Sequence, residues 1–236
     1  MKISLVIPAY NEEKYLGSCL KSVAEHGALF HEVIVIDNAS TDRTREIAAS
    51  FANVRVVSEP EKGLTKARAR GLSEAGGDII AYIDADTHLP PGWTKKLLST
   101  FDKNSAAVCV SGPYIYENVS WAMKTGVWIY WHVFAYATYS LTGYMAVGGN
   151  FAAKKSALLE IGGFDTTISF YGEDTDIARR LHAVGKVIFK TDLYMYTSPR
   201  RFDGEGFLRT ALQYVRNFFS IALHGRPTTD EYKDIR

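Results

Sequence analysis

The stretch Lys2-Ile3-Ser4-Leu5-Val6-Ile7-Pro8-Ala9-Tyr10-Asn11-Glu12 begins with an apolar run and ends in polar residues. A short continuous apolar run bounded by turn residues is typical of a strand buried on both faces, so we predict a strand over 3–7. Apolar residues at helical spacing predict a helix over 12–24. A buried strand that leads through a short polar loop into a helix is the repeating unit of an open α/β sheet.

The same alternation continues through the first half of the chain. Strands are predicted over 33–36, 54–57 and 79–83, and helices over 42–51 and 64–75. Because strands separated by helices are joined by right-handed crossovers, the predicted fold class is α/β, with a mostly parallel central sheet and flanking helices. In the less regular second half, strands are predicted over 106–111, 145–152 and 187–189, and helices over 155–159, 173–183 and, with amphipathic character, 206–224.

Composition limits the classes of protein to which the chain can belong. Its 236 residues include 27 Lys plus Arg and 26 Asp plus Glu, so the formal net charge is +1. A nucleic-acid binder usually has a clear excess of positive charge, which this chain does not have, so we expect no nucleic-acid partner. Cys19 and Cys109 suit neither a disulfide framework nor a zinc site, and the first apolar run is too short for a signal peptide. We therefore expect a cytoplasmic protein in a reducing compartment.

Acidic residues follow two of the predicted strands, where ligands bind in open parallel sheets. Asp37 follows the second strand, and Asp84-Ala85-Asp86 follows the fourth. For a single loop such as that of Asp37, helix capping is the more ordinary interpretation. Two carboxylates as close as those of Asp84 and Asp86 repel unless a hard divalent cation lies beside them, so this pair predicts a Mn²⁺ or Mg²⁺ site.

The loop after the first strand argues against two common types of nucleotide site. It contains no glycine and carries Glu12 and Glu13, which would repel the pyrophosphate that a Gly-x-Gly-x-x-Gly loop binds. The chain also lacks a Walker-type loop and a Gly-x-Ser-x-Gly elbow, which argues against P-loop chemistry and serine hydrolysis. A pyrophosphate ligand would therefore be neutralised elsewhere, for which the Asp pair and its cation are suited.

Several motifs, taken in order, resemble those of the family 2 glycosyltransferases of GT-A fold. They are Val6-Ile7-Pro8-Ala9-Tyr10-Asn11-Glu12, Val35-Ile36-Asp37-Asn38-Ala39-Ser40-Thr41-Asp42, Asp84-Ala85-Asp86, Gly162-Gly163-Phe164-Asp165 and Gly172-Glu173-Asp174-Thr175-Asp176 with Arg180. The resemblance covers residues 2–189. It implies one GT-A domain over 1–236, with a Rossmann-like nucleotide-sugar-binding half (1–105), an acceptor-binding and catalytic half (106–205) and a C-terminal helix with its tail (206–236).

The resemblance also implies roles for individual residues. Asp174 matches the catalytic base, and Glu173 would orient the acceptor or tune that base. Arg200 and Arg201 would reach the diphosphate, although a solvated basic turn is an equally open interpretation of the two. The nucleotide-binding residues would be Pro8, Ala9, Tyr10, Glu12, Asp37, Arg68 and Asp84, and the metal ligands would be Asp84 and Asp86.

The implied reaction is an inverting, metal-dependent transfer of one sugar from a nucleotide sugar, expected to be a UDP-sugar, to an acceptor hydroxyl. The Gln-x-x-Arg-Trp motif of processive members is absent, which favours single transfer over polymer synthesis. The expected acceptor is lipid-linked or a precursor of a cell-surface glycan. Two alternatives stay open: a nucleotide- or sugar-binding protein without turnover, and a sugar-phosphate nucleotidyltransferase.

Aromatic residues make up 13 % of the chain and crowd the segment 114–144. Residues 125–147 contain no Lys, Arg, Asp or Glu. As a helix, a segment of this length could span a hydrocarbon core of about 30 Å. A span there would place Asp84 and Asp174 on opposite sides of a bilayer, so we expect none. Three interpretations stay open: core beside the acceptor cleft, a homodimer surface, and peripheral contact with the inner face of a membrane or with an isoprenoid-like acceptor.

Overall fold

The computed structural model describes residues 1–168, 170–201, 213, 216–221 and 226–228. A π-helical stretch over Tyr130–Ala135 joins two of the helices. The strands are β1 (Ile3–Ala9), β2 (Glu32–Asp37), β3 (Val54–Ser58), β4 (Ile79–Ile83), β5 (Thr87–His88), β6 (Ala107–Ser111), β7 (Tyr114–Tyr116), β8 (Asn150–Lys154), β9 (Lys186–Phe189) and β10 (Met195–Thr197). The helices are α1 (Leu16–His26), α2 (Thr44–Ala49), α3 (Leu64–Glu74), α4 (Trp93–Lys103), α5 (Trp121–Ile129), α6 (Tyr136–Thr142), α7 (Lys155–Glu160) and α8 (Glu173–Val184).

A seven-stranded sheet in the order β3-β2-β1-β4-β8-β6-β9 forms the centre of the fold. Its neighbouring strands are parallel except for β8, which is antiparallel to both β4 and β6. This mostly parallel sheet with flanking helices confirms the predicted fold class. Because β1 pairs in parallel with both β2 and β4, the carboxyl ends of these three strands meet at one edge of the sheet.

Alternate side chains of β1 enter two separate layers of the core. Ile3, Leu5 and Ile7 pack with residues of α1 and α4 on one face, while Val6 packs with residues of α3 on the other. Every residue of the strand is buried, as the continuous apolar run predicts. Gly71 of α3 lies against Val6, where a Cβ atom would overlap the valine side chain. The missing side chain therefore lets α3 approach the sheet closely.

The predicted strand over 145–152 is wrong for its first half. Strand β8 begins at Asn150, and residues 145–149 form a buried loop. The Asn150 N–H donates to the Val147 carbonyl oxygen over 2.8 Å, which closes a turn through Gly148 and Gly149. Glycine in a strand interior weakens pairing and favours such turns, so the glycine pair outweighs the apolar residues before it.

Helix α4 and a small second sheet are not predicted by the sequence patterns. The buried residues Trp93, Leu97 and Phe101 of α4 recur every four residues, and this spacing is the helical signal that the sequence contains. The second sheet has the strand order β5-β10-β7. Its strands have only two or three residues, too few for a periodic pattern to develop.

The aromatic segment is helical from residue 121 to residue 142. Helix α5, the π-helical stretch and α6 follow one another without a break, because Ile129 and Tyr136 keep helical dihedral angles at the two junctions. The segment ends at Gly143, whose φ of 80° lies in the left-handed region that favours glycine. We call residues 121–142 the aromatic helix. Within the described residues, no helix combines the length and the apolar character needed to cross a bilayer.

The C-terminal predictions lie largely outside the described residues. Of the predicted helix over 206–224, the structure describes residues 213 and 216–221, which are helical. Of the tail after it, only residues 226–228 are described.

Candidate active site

A cleft of about 1000 Å³ opens at the carboxyl edge of the central sheet. Its walls come from the loops after β1 and β4, the loop before β8, the start of α8 and the aromatic helix. Segments far apart in the chain thus meet around one space. The predicted site residues that line the cleft are Pro8, Ala9, Tyr10, Glu12, Arg68, Asp84, Asp86, Glu173, Asp174, Arg200 and Arg201.

Asp37 is the predicted site residue that does not line the cleft, where its neighbour Asn38 lies instead. Asp37 Oδ1 accepts a hydrogen bond from the Ser40 N–H over 3.3 Å, and Oδ2 lies 3.6 Å from Arg45 Nη1. The Asn38 side chain bonds to the backbone of the loop 59–63. The structure therefore gives Asp37 partners in the turn before α2 and in the first turn of α2, and it places the Asn38 amide at the cleft wall.

Arg200 connects two acidic side chains of the cleft. Its Nη1 and Nη2 donate to the two carboxylate oxygens of Glu12 over 2.8 and 2.7 Å, and its Nε lies 2.8 Å from Asp86 Oδ2. Burial raises the pKa of Asp86 to about 6, against the lowering effect of the Arg200 charge. The Arg201 guanidinium packs over the Phe170 ring, 4.4 Å from the ring centroid. Of the two interpretations of this basic pair, the contacts of Arg200 favour a role within the site.

Arg68 lies in the floor of the cleft, where it contacts two parts of the candidate site. Its Nη1 donates to Glu173 Oε1 over 2.5 Å, and its Nη2 lies 3.4 Å from Asp84 Oδ1. The Tyr114 hydroxyl donates to the other oxygen of Asp84 over 2.8 Å. Burial is the largest influence and would lower the pKa of Arg68, but the Glu173 and Asp84 carboxylates together outweigh it and hold that pKa above its usual range. At 1 % exposure, Arg68 is placed to hold the acidic residues rather than to meet a ligand directly.

Glu173 and Asp174 open helix α8, directly after Gly172 with its φ of 83°. Asp174 Oδ1 accepts from the Thr175 N–H over 2.7 Å and lies 3.4 Å from the Thr175 hydroxyl. Burial raises the pKa of Asp174 and raises that of Glu173 to about 8, although the Arg68 charge works against both shifts. A buried carboxylate with a raised pKa at the wall of a cleft is suited to accept a proton near neutral pH.

Gly148 and Gly149 form a part of the site that the sequence patterns do not predict. A Cβ atom on Gly148 would lie 2.6 Å from Glu173 Oε1, and one on Gly149 would overlap Asp84 and the Tyr114 hydroxyl. The Gly148 backbone also donates a hydrogen bond to Asp174. Only residues without side chains allow this loop to lie between the two acidic groups, and the Gly-Gly pair before β8 was the available signal.

The Asp pair fits a divalent cation that arrives with a diphosphate. In the part of the chain that the structure describes, no three or more His, Cys, Asp or Glu side chains gather as a closed metal site. Mg²⁺ and Mn²⁺ favour oxygen ligands, and Mg²⁺ commonly takes one or two carboxylates and completes its shell with substrate phosphate oxygens and water. Asp84 and Asp86 line the cleft and offer only oxygen atoms, which matches that requirement.

Comparison with known sequences finds similarity to glycosyltransferases. The profile described as glycosyl transferase family 2 matches residues 4–162, and one described as the N-terminal domain of galactosyltransferase matches residues 130–198. A dolichol-phosphate mannosyltransferase of Pyrococcus furiosus is 36 % identical over 121 residues, which are 49 % of this chain and 34 % of that protein. A glucosyl-3-phosphoglycerate synthase of Mycolicibacterium smegmatis is 40 % identical over 106 residues, or 41 % of this chain and 35 % of that protein. The match thus spans about a third of each of these relatives.

Solved structures share the fold over nearly the whole chain. A mannosyltransferase from Pyrobaculum calidifontis in complex with GDP-Man and Mn²⁺ superimposes with a TM-score of 0.72 at 20 % identity, covering 94 % of this chain and 64 % of that one. A glucosyl-3-phosphoglycerate synthase from Mycobacterium tuberculosis in complex with Mn²⁺, UDP-glucose and phosphoglyceric acid gives a TM-score of 0.63 at 23 % identity, covering 97 % and 81 %. At such identities the likeness shows a common fold alone.

The family profile covers the loop after β1, the Asp84–Asp86 loop and the glycine loop before β8, which are three of the walls of the cleft. It matches more than half of the chain, and the solved relatives confirm the GT-A fold. The resemblance inferred from the ordered motifs is therefore confirmed, and the chain belongs to glycosyl transferase family 2.

Proposed function

We propose that this chain catalyses the inverting transfer of one sugar from a nucleotide sugar, expected to be a UDP-sugar, to an acceptor hydroxyl. The observation that carries the proposal is a single cleft lined by Asp84, Asp86 and Asp174. Displacement at an anomeric carbon needs charge neutralisation for the departing diphosphate and a base for the incoming hydroxyl. The three aspartates supply groups suited to both needs.

Asp174 has the role of general base. Its carboxylate accepts the acceptor hydroxyl proton while the hydroxyl oxygen bonds to the anomeric carbon and the bond from that carbon to the diphosphate oxygen breaks. Attack opposite the leaving group inverts the configuration of the sugar. A positioned base of this kind contributes roughly 10²–10⁴-fold to the rate. The pKa of Asp174, raised mainly by burial, brings its basicity closer to neutral pH.

A second set of groups in the cleft would meet the nucleotide. Asp84 and Asp86 would hold Mn²⁺ or Mg²⁺, and the bound cation would stabilise the charge that develops on the departing diphosphate. Arg200, in contact with Asp86, adds positive charge at the same place. Arg201 is the second predicted diphosphate contact. The wall assigned to the nucleoside consists of Pro8, Ala9, Tyr10 and Glu12. Asp37 of β2 lies opposite Ala9 in the pairing of β1 with β2.

Glu173 and Arg68 act on the base indirectly. Arg68 spans the distance between Asp84 and Glu173, so it fixes the metal-binding side of the cleft relative to the start of α8. Glu173 is next to Asp174 in the chain, and its charge contributes to the environment of the base or orients the acceptor. Both therefore serve as positioning residues in this proposal.

The names and complexes of the relatives support the nucleotide-sugar part of the proposal. One solved relative is in complex with GDP-Man and another with UDP-glucose. A curated relative is named for dolichol phosphate as acceptor. For this chain we propose a UDP-sugar as donor and a lipid-linked acceptor or cell-surface glycan precursor, used at the inner face of a membrane. A homodimer surface is the alternative use of the aromatic helix.

A donor panel tests the proposal. The purified protein is incubated with UDP-glucose, UDP-galactose, UDP-N-acetylglucosamine or GDP-mannose in Mn²⁺ or Mg²⁺, and the released nucleoside diphosphate is measured. We expect release from a UDP-sugar, loss of that release with EDTA, and release slower by roughly 10²–10⁴-fold in the matched variant Asp174→Asn. Release that EDTA leaves unchanged would contradict the metal requirement. Pyrophosphate formed from a sugar phosphate and a nucleoside triphosphate would instead support the nucleotidyltransferase alternative.

A further inference from the structure

The aromatic helix carries large apolar side chains that none of the described residues covers. Leu141 is 88 % exposed and Trp121 is 81 % exposed. The helix meets the body of the protein through a narrow stripe, in which Trp131, Ala135 and Tyr139 pack beside β9 and the loop before β8. Water-exposed apolar surface of this extent marks a site for a partner or a membrane.

A second groove, of about 580 Å³, lies beside the aromatic helix and is rich in lysine. Tyr139 of the aromatic helix forms part of its wall. Asp192 is the single acidic side chain among the described residues that line it, and it lies 3.2 Å from Lys190. We call this feature the lysine groove, after its five lysines: Lys95, Lys96, Lys103, Lys186 and Lys190. Positive charge therefore lies next to the exposed apolar helix.

The sequence around the aromatic helix contains no acidic residue over a long distance. Between Glu117 and Glu160 there is neither Asp nor Glu, whereas Lys124 is exposed on α5. Tryptophan and tyrosine rings suit the interfacial region of a bilayer, and lysines are attracted to anionic headgroups. A second copy of this chain would be a poorer partner, because it presents the same positive charge beside the same helix, with only Asp192 among the described residues of the groove to balance it.

We infer that the aromatic helix and the lysine groove together form a docking surface for an anionic lipid bilayer. The apolar side chains enter the boundary between headgroups and acyl chains, as the apolar face of an interfacial helix does. The lysine groove contacts the headgroup phosphates. This assignment depends only on the exposed apolar side chains and the lysine charges, and not on the transfer reaction.

The docking surface also reaches the catalytic cleft. Phe134 and Leu141 are both exposed and part of the cleft wall, so the mouth of the cleft opens beside the membrane-facing side chains. The pKa of Tyr130, which also lies on the aromatic helix, is raised mainly by burial and in addition by the charge of the nearby Asp174. If the proposed function holds, an amphiphilic acceptor would keep its chain in the membrane while its hydroxyl reaches Asp174.

Intrinsic tryptophan fluorescence tests the docking surface directly. Trp121, Trp128 and Trp131 lie on the aromatic helix, whereas Trp93 is buried in the core at 1 % exposure. The full chain is mixed with phosphatidylserine–phosphatidylcholine vesicles that carry bromine on their acyl chains. We expect quenching and a blue shift with these vesicles, and loss of both with pure phosphatidylcholine or at high salt. No sugar nucleotide is present, so the outcome is independent of the transfer reaction.

Paired variants separate the two parts of the surface in a vesicle sedimentation assay. Ile129→Ser/Val133→Asp keeps every tryptophan and should weaken binding at least about tenfold, because it removes apolar area and adds a charge. Lys103→Glu/Lys186→Glu should weaken it about tenfold or more. The matched controls are Lys21→Glu, exposed on α1, and Leu29→Asp, exposed just after α1. Their affinity for the vesicles should stay within about twofold of that of the parent.

Two results would overturn the inference. The first is the absence of both quenching and sedimentation with anionic vesicles at low salt. The second is a blue shift that grows with protein concentration without vesicles, together with a dimer that Ile129→Ser/Val133→Asp converts into a monomer. The second result would assign the aromatic helix to a homodimer contact.

Discussion

Arg200 Nε lies 2.8 Å from Asp86 Oδ2, with both side chains largely withdrawn from water. A divalent cation bound by the Asp86 carboxylate would place a second positive charge beside the guanidinium, so we expect the guanidinium and the cation to compete for this carboxylate. Arg200 also bonds to both carboxylate oxygens of Glu12, which keeps it at the loop after β1 when its contact with Asp86 is broken. Binding of a cation would thereby be linked to the position of Arg200.

The first prediction concerns this competition. Arg200→Gln removes the guanidinium from Asp86 and leaves the carboxylates free for a cation, so the affinity for Mn²⁺ without nucleotide should rise by roughly tenfold. Electron paramagnetic resonance of free Mn²⁺ during a titration measures this affinity. Arg201→Gln is the matched control, since the Arg201 guanidinium lies over the Phe170 ring, and its Mn²⁺ affinity should change little. Equal affinities for the two variants would contradict the competition.

The second prediction concerns the buried pair of Arg68 and Glu173. Near pH 9, Arg68→Met should lower the free energy of unfolding by about 3–5 kcal/mol, because the buried Glu173 loses the cation that stabilises its carboxylate and must either keep its proton or carry an unpaired charge. The loss should grow as the pH rises through about 8, where Glu173 with its raised pKa gains its charge in the parent protein. In the variant, that ionisation moves to still higher pH.

Urea unfolding at two pH values measures the effect of the Arg68 substitution. The double variant Arg68→Met/Glu173→Gln should recover most of the loss, since glutamine removes the buried charge. A loss from Arg68→Met that is the same at both pH values would contradict the assigned coupling between Arg68 and Glu173.

The third prediction concerns the pKa of Asp174. The hydroxyl of Thr175 lies 3.4 Å from Asp174 Oδ1 and favours the carboxylate form. Thr175→Ala should therefore raise the pKa of Asp174 and move the acid limb of kcat/KM to higher pH, by up to about one pH unit. Thr175→Ser keeps the hydroxyl and should leave the limb in place. A shift toward lower pH, or the same shift in both variants, would contradict the assignment.

Local patterns in the sequence predict the strands and loops that build the cleft. The apolar run over 3–7 predicts β1, and the acidic residues after it and after β4 are expected at one edge of the sheet. Asp84, Asp86 and Asp174 do line one cleft, while their chemical roles stay predictions. These features are predictable because burial and strand direction depend on residues close together in the chain.

Contacts between distant residues were beyond the reach of such patterns. Arg68 reaches Glu173 across 105 positions of the chain, so its burial beneath the site has no local signature. The same holds for Arg200 and Glu12, which are 188 positions apart. The loop over 145–149 differs from its prediction for a local reason, because its apolar residues suggest a strand while Gly148 and Gly149 make it a turn.

The variant Asp174→Asn tests the central claim most directly. It keeps the shape of the side chain and removes the proton acceptor, so turnover of the donor identified by the panel should fall by roughly 10²–10⁴-fold. The Kd of the nucleotide in the presence of Mn²⁺, measured by calorimetry on the same sample, should stay within about twofold of the parent value. Near-native turnover by Asp174→Asn, with nucleotide binding intact, would contradict the assignment of Asp174 as the base.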